Sequence, residues 1–430
     1  MNRLQQLGLV LLVSIIVGGI MEAQQDTLTL ARCIQTALEN HPAVRVAEGA
    51  LLNSEAALQQ TRSIFFPQLS ASGGMTKNAG TSLIGPIQRV QDYESYSAGL
   101  SAQMLLFDFG KSIYRTMASS YGVDTSVAAV GGTKQTVILN AELAYFAYQE
   151  TSSLVKVSED ALRSSTQHLQ QAKAFFSVGT RAQFDVTKAE VDVANAQVAL
   201  LRAQNQFRIA RAQLDNAMGI QTSKIYVTPE NMDLPSITMT VDSALVIAKV
   251  SRPEILSSAS KVSVSEALYT ASWMTRFPTI SATGGYIWRG LTFPLSSSWS
   301  AGVTISVPLF QGFAVDAGVQ QAEAGIQIAS ATYEALVRSA RLEIEQQILS
   351  LNEARERIAA SAKLVEQATE NLRLADARYA SGVGSAIEIT DALATLSNAR
   401  IIEIQAQFDY RSAYVQLQRA MGILTPIGQQ

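Results

Sequence analysis

Cysteine is almost missing from this chain: Cys33 stands alone among 430 residues, which excludes an internal disulfide framework. Histidine is nearly as scarce: His41 and His168 are isolated and leave little for a His-based metal site. Charge is low at 16% and almost cancels, 33 Lys and Arg against 36 Asp and Glu for a net −3, so neither a disordered polyelectrolyte nor a nucleic-acid partner is indicated. The chain has no G-x-S-x-G, no P-loop and no H-E-x-x-H, and acidic pairs such as Glu343 and Glu345 fall in helical, solvated sequence. An enzyme is therefore not expected, and no cofactor or metal is either. Long apolar runs are missing too: beyond residue 23 none approaches 18 residues, so no helix is expected to span a membrane. Residues 1–23 carry Arg3, then an apolar core over 7–20, and read as a secretory signal peptide; Cys33 lies too far beyond it to be a lipid acceptor. An exported chain without a membrane helix is periplasmic, secreted or an outer-membrane barrel.

What is present begins with WSAGVTISVPLFQGF, residues 299–313. Trp299, Ala301, Val303, Ile305, Val307 and Leu309 alternate with Ser300, Gly302, Thr304, Ser306 and Pro308, giving one apolar face and one small polar face. About eleven such residues match a tilted strand crossing a bilayer, and Trp299, Phe310 and Phe313 sit where interfacial aromatics would. Residues 96–109, YSAGLSAQMLLFDF, repeat the phrase.

That echo extends over nearly the whole chain. Asn40-His41-Pro42 answers Ser251-Arg252-Pro253 at an offset of about 211, as Phe66-Pro67 answers Phe277-Pro278. From the second strand on, the offset is about 203: Gly99 with Gly302, Phe107 with Phe310, Gly179 with Gly382, and 217–220 with 420–423. One length change, in the loop between paired strands (76–95 against 290–297), accounts for the shift. The layout is thus a first repeat over 24–220, a connector over 221–240, a second repeat over 241–423 and a tail over 424–430. Each repeat is predicted to run helix, strand, loop, strand, long helix, tight turn, long helix. In the first repeat these are 28–64 broken at Pro42, 68–77, 95–107, 110–176 and 182–218. Pro67, Pro278 and Pro308 mark helix–strand junctions.

The long helices carry a countable period. Ile344, Leu351, Ile358, Val365, Leu372 and Tyr379 are seven apart, as are Tyr148, Val155, Leu162, Leu169 and Phe176. After the turn, Val186, Val193, Leu200, Phe207 and Leu214 repeat the spacing, with Ala189, Ala196, Ala203, Ala210 and Ala217 three residues behind each. Strict heptads imply left-handed coiled coils, and alanine at every second seam position lets the helices approach closely. A helix of about 67 residues would be about 100 Å long. Four strands cannot close a barrel, and an open edge cannot face lipid, so the chain must oligomerise. Two copies would give eight strands and a filled interior; three would give twelve and a lumen, and three is preferred.

The duplicated unit, the SVPLFQGF strand-to-helix junction and the glycine-containing turns together resemble the TolC-like outer membrane efflux protein family (outer membrane factors) over essentially the whole chain after residue 24. The resemblance implies a mainly α fold with a membrane β-barrel: a homotrimer with a 12-stranded barrel in outer-membrane lipid, an α-helical tunnel in the periplasm of a Gram-negative cell, and an equatorial belt. It implies an exit duct for efflux or type I secretion, working with a periplasmic adaptor (membrane fusion protein) and an inner-membrane transporter of RND, ABC or MFS type. The alternative is a periplasmic coiled-coil scaffold or adaptor, though no lipoyl-like module is found.

Site residues follow from the same likeness. Val178, Gly179 and Thr180, with Gly382, Val383 and Gly384, lie at the two helix reversals; glycine there is explained by turn geometry alone, and the family adds contact with the adaptor. Glu388 and Asp391, three apart on one helix face, read either as solvated charges at a helix start or, by resemblance, as an acidic entrance ring. Tyr379 and Asp185 match positions that hold neighbouring coiled coils at the closed entrance, although Tyr379 is equally a seam residue. Two positions depart from the pattern: Gly384 stands where an arginine is expected, and Phe184 where a small polar residue is.

Overall fold

The structure, a computed structural model, describes residues 27–84, 87–222, 224–229 and 239–425. The expected signal peptide, most of the second half of the connector and all but the first two residues of the tail lie outside them. The elements run α1 (Leu30–Asn40), α2 (Pro42–Arg62), β1 (Gln68–Ile84), β2 (Ile87–Phe107), α3 (Lys111–Ser177) and α4 (Gln183–Ala217). They continue as α5 (Val241–Ser251), α6 (Pro253–Trp273), β3 (Thr279–Gly290), β4 (Ser296–Ser306), α7 (Ala314–Ala380) and α8 (Ala386–Met421). No described helix is apolar enough to cross a membrane.

The strands form one antiparallel sheet in the order β1-β2-β3-β4, so β1 and β4 are both edges. Its register sorts chemistry by face, because directly paired residues point the same way. Leu69↔Ala102, Ala71↔Leu100 and Met75↔Tyr96 share one face with Met104↔Ala282, Leu100↔Tyr286, Ile280↔Ile305, Ala282↔Val303 and Tyr286↔Trp299. The other face holds Ser70↔Ser101, Ser72↔Gly99, Ser101↔Gly285, Thr283↔Gly302 and Ser281↔Thr304. Leu69, Trp299, Val303 and Ile305 are all largely exposed in the single chain. From Leu69 to Met75 the apolar face of β1 rises about 20 Å at roughly 3.3 Å per residue, approaching the ~25 Å apolar band of an outer-membrane barrel. Aromatics mark both ends, Tyr96 against Phe293 at one and Phe107, Phe109 and Phe277 at the other.

Two strand boundaries differ from expectation. The stretch 76–95 is largely strand rather than loop: pairing continues from Thr76↔Ser95 to Ile84↔Ile87. Thr76, Thr81, Val90 and Tyr93 keep β-favouring residue types spaced along both strands. The apolar face ends at Lys77, which pairs with Asp92 at 3.7 Å, so the last eight residues of β1 extend about 26 Å beyond the apolar band. In the second repeat β4 covers Ser296–Ser306, beginning before Trp299 and stopping short of Val307 and Leu309. Pro308 has no N–H to donate to a ladder.

Each sheet-to-tunnel junction uses two consecutive left-handed residues, Phe109 (φ 57°) with Gly110 (φ 95°) and Gly312 (φ 59°) with Phe313 (φ 66°). A phenylalanine there is strained. Ring packing offsets the strain: Phe109 stacks on Phe277 at 5.2 Å and Phe313 meets Phe310 at 5.5 Å.

The long helices α3 and α7 have 67 residues each, about 100 Å, and pair with α4 and α8 as coiled coils. The alanine stripe is buried at Ala189, Ala210, Ala217, Ala392, Ala399, Ala406, Ala413 and Ala420. One seam residue differs from expectation. Tyr379 is buried, but Phe176, at the equivalent place in the first repeat, is 42% exposed. The largest core lies midway along the rod, where Cys33, Ile34, Ile138, Tyr145, Tyr148, Leu214 and Tyr226 meet. Tyr145 Oη donates to Leu28 O (2.9 Å) and Tyr148 Oη to Tyr226 O (2.8 Å), pinning the N-terminal segment and the connector to α3. Burial pushes the Cys33 thiol up to about 12, with Glu142 adding to the effect, so it is inert.

Candidate functional site

The two helix reversals lie side by side at the end of the rod farthest from the sheet. In the first, Gly179 (φ 76°) closes α3 and Thr180 Oγ1 donates to Phe175 O (2.9 Å). In the second, Gly382 (φ 87°) opens the turn, while Val383 N and Gly384 N both donate to Arg378 O. Val178 and Val383 are 70% and 72% exposed, so each tip presents one valine beside a left-handed glycine with open space around it. Gly384 is different. It is buried, and a Cβ there would lie 2.9 Å from the Arg378 and Tyr379 backbone, so no side chain fits where the family likeness leads one to look for arginine.

Tyr379 is fully buried between the hairpins. His168 and Phe175 of α3 pack on its ring at 5.1 and 5.8 Å. The Arg181 guanidinium lies 4.4 Å over the same ring and donates to the Tyr379 carbonyl (3.0 Å). Tyr379 Oη makes no hydrogen bond of ordinary geometry. Burial raises its pKa, the nearby Asp185 carboxylate raises it further, and Arg181 opposes both. Tyr379 and Asp185 are thus brought together, but the ring rather than the hydroxyl carries the packing. His168 is buried with neither ring nitrogen hydrogen-bonded; burial lowers its pKa against the pull of Asp376, Asp192 and Asp185. One side chain away, Asp192 accepts from Lys188 Nζ and from Thr390 Oγ1, both at 2.6 Å, tying α4 to α8.

Glu388 and Asp391 share an exposed face at the start of α8 but differ in state. Glu388 completes a capping box with Ser385 and takes an ion pair from Arg378 Nε (3.0 Å), which holds its carboxyl below the usual range. The Asp391 carboxylate has no partner among the described residues, although its backbone carbonyl accepts from Thr395. Phe184 is exposed, away from the Tyr379 contact. Sequence reasoning missed Arg181, His168 and the Asp192–Thr390 tie. Arg181 had a signal: at the repeat offset of 203 it stands opposite Gly384, so the two halves differ in charge at the turn. His168 had none, since a lone histidine in a seam looks like any core residue.

Comparison with known proteins places these features in context. The family model described as outer membrane efflux protein matches residues 33–220 and 244–423. The chain is 25% identical over 408 residues to the solvent efflux pump outer membrane protein SrpC of Pseudomonas putida, covering 91% of this chain and 85% of that one. It is 24% identical to the outer membrane protein TolC of Vibrio cholerae over 92% of this chain and 91% of that one. Among solved structures, a membrane protein from Pseudomonas aeruginosa superposes with a TM-score of 0.82 at 24% identity, over 91% of this chain and 90% of that chain.

Proposed function

The chain belongs to the outer membrane efflux protein family, and from that premise we propose that three copies close side by side into one passive duct across the outer membrane and into the periplasm. The sheet carries this reading: four strands with two unpaired edges, one face apolar from Leu69 up to Lys77 and the other Ser/Thr/Gly-rich. Unpaired edges in lipid cost several kcal/mol per orphaned group, and pairing β4 of one copy with β1 of the next removes them. Three copies give twelve strands, enough for an aqueous lumen, with the apolar face outward. The rod points the same way. Val191 and Val198 on α4, and Leu342 and Leu349 on α7, are exposed at seven-residue spacing, a second seam for a neighbouring copy.

In this duct the two repeats are the quasi-equivalent staves of each copy, and the described connector residues 224–229 and Leu424, with Tyr226 and Leu424 in the mid-rod core, belong to the mid-rod belt. The duct performs no chemistry and is no enzyme; the driving energy comes from an inner-membrane transporter through a periplasmic adaptor. The exposed tips Val178–Thr180 and Gly382–Val383, with Gly384 buried behind them, dock on that adaptor. The Tyr379 contact, with Asp185 beside it, holds the entrance shut, and Glu388 and Asp391 ring the opening. The test is detergent-dependent extraction, the mass of the cross-linked oligomer and conductance in a planar bilayer. Trimeric mass with discrete channels is the expected result; a stable, water-soluble monomer would refute the duct and return the chain to a periplasmic scaffold role.

A further inference from the structure

Where the sheet meets the helices, its Ser/Thr/Gly-rich side opens into a recess of about 520 Å³. Gln68 and Gln103, paired across β1 and β2, form a polar wall, and Phe66 and Leu105 an apolar one. One charged side chain lines it, Arg115 of α3. Arg115 is exposed and has no partner among the described residues. Asp108, which starts α3, accepts from Ser112 N (2.9 Å), Ser112 Oγ (2.5 Å) and Gly110 N (3.2 Å), and its charge acts on Lys111 rather than forming an ion pair with Arg115. Lys111, four residues back on the same helix face, lies near enough to Arg115 for the two charges to repel, and Asp108 offsets the lysine, leaving Arg115 as the charge in the recess. Farther along this side of the sheet, from Gln68 to Thr76 and across the paired strands, the one charged residue is Arg289. No carboxylate on that face competes.

A guanidinium is a rigid fork of donors that suits carboxylate, sulfonate or phosphate heads, and its uncompensated charge is worth more in a sheltered recess than in open water. The adjoining ring and leucine cover an apolar body, while the Gln103 amide serves a remaining oxygen of the head; the Gln68 amide is already held, its Nε2 donating to Ser63 O (3.0 Å). We propose that this recess is a transit site for amphiphilic organic anions, with Arg115 taking the head and Phe66 and Leu105 the body. The assignment rests on the duct reading above, which makes this face the bore. Cationic amphiphiles of equal size find the apolar wall but are repelled at the head.

The probe is 2-naphthalenesulfonate, with a naphthyl-trimethylammonium ion as the cationic control. In bilayers holding the full-length oligomer, the sulfonate added on the barrel side should interrupt the current, and Arg115→Gln should shorten the interruptions about tenfold or more, the loss expected for one charge-assisted contact. Phe66→Ala should shorten them independently, and the cation should show no dependence on Arg115. Equilibrium dialysis of the sulfonate against detergent-solubilised protein reads the recess without conduction. Arg115-dependent binding without channels would leave this site standing and sink the duct. Interruptions and binding that survive Arg115→Gln unchanged, or a cation that depends on Arg115 equally, would overturn the assignment.

Discussion

Truncating Tyr379 to alanine is expected to loosen the entrance, whereas removing only its hydroxyl is not. The ring is fully buried and is shared by His168, Phe175 and Arg181 across the two hairpins. Tyr379→Ala leaves a cavity there, at a cost of about 3–5 kcal/mol by analogy with buried aromatic truncations. It also removes the cation–π contact with Arg181, about 0.5–1 kcal/mol more. Tyr379→Phe keeps the ring and deletes a hydroxyl without an ordinary hydrogen bond, so its effect is about 0–1 kcal/mol, in the stabilising direction. If only a third of the alanine penalty falls on the closed state, the open population rises about tenfold. Arg181→Gln should fall between the two, because it loses the ring contact and the charged bond to the Tyr379 carbonyl but leaves the cavity filled. Single-channel recordings of the three variants decide the matter. An open probability for Tyr379→Phe as high as for Tyr379→Ala would put the latch in the hydroxyl and refute the packing argument; no change in Tyr379→Ala would remove this contact from closure altogether.

Glu142 is buried in the mid-rod core with Oε2 unpartnered, and burial raises its carboxyl from 4.5 to about 7. The folded chain therefore keeps a proton that the unfolded chain loses above 4.5, so stability falls as pH rises from 4.5 through 7, by about 3 kcal/mol per copy at 1.36 kcal/mol per unit. Glu142→Gln should flatten that slope in thermal melts at about pH 5 and about pH 8; an unchanged slope contradicts the assignment. At Gly422 (φ 76°) an added Cβ would lie 2.3 Å from Arg252 Cα, so Gly422→Ala should cost about 3 kcal/mol or more and depress oligomer yield. Gly179→Ala, with the same φ and open space, should cost only about 1 kcal/mol, and equal losses in the two variants would deny the clash. Block of the channel by hexamminecobalt(III) should weaken more in Asp391→Asn than in Glu388→Gln, since Glu388 is already paired with Arg378. The reverse order in the conductance titration would place the cation on Glu388.

The local elements were legible because each rests on a short-range period. Alternation set the apolar and polar faces of the strands, the heptads and their alanines set the coiled coils, and Pro67, Pro278 and the turn glycines set the boundaries. The 203-residue offset revealed the tandem repeat from letters alone. The length of the β1–β2 hairpin was misjudged, because beyond the lipid band neither face need be apolar and the alternation that marks a strand disappears. Seam identity was likewise insufficient: Tyr379 and Phe176 occupy equivalent heptad places, yet one is fully buried against the other hairpin and the other is 42% exposed.

What the sequence determined by itself, then, is the set of parts: two repeats, four amphipathic strands, rods about 100 Å long and an export signal expected at the front. What only the tertiary structure decided is which charges are free. Asp108 and Glu388 are spent on helix starts and Arg378 on Glu388, while Arg115 and Asp391 have no partner among the described residues. Pairing of charges depends on distances across elements far apart in the chain, and no local period encodes it.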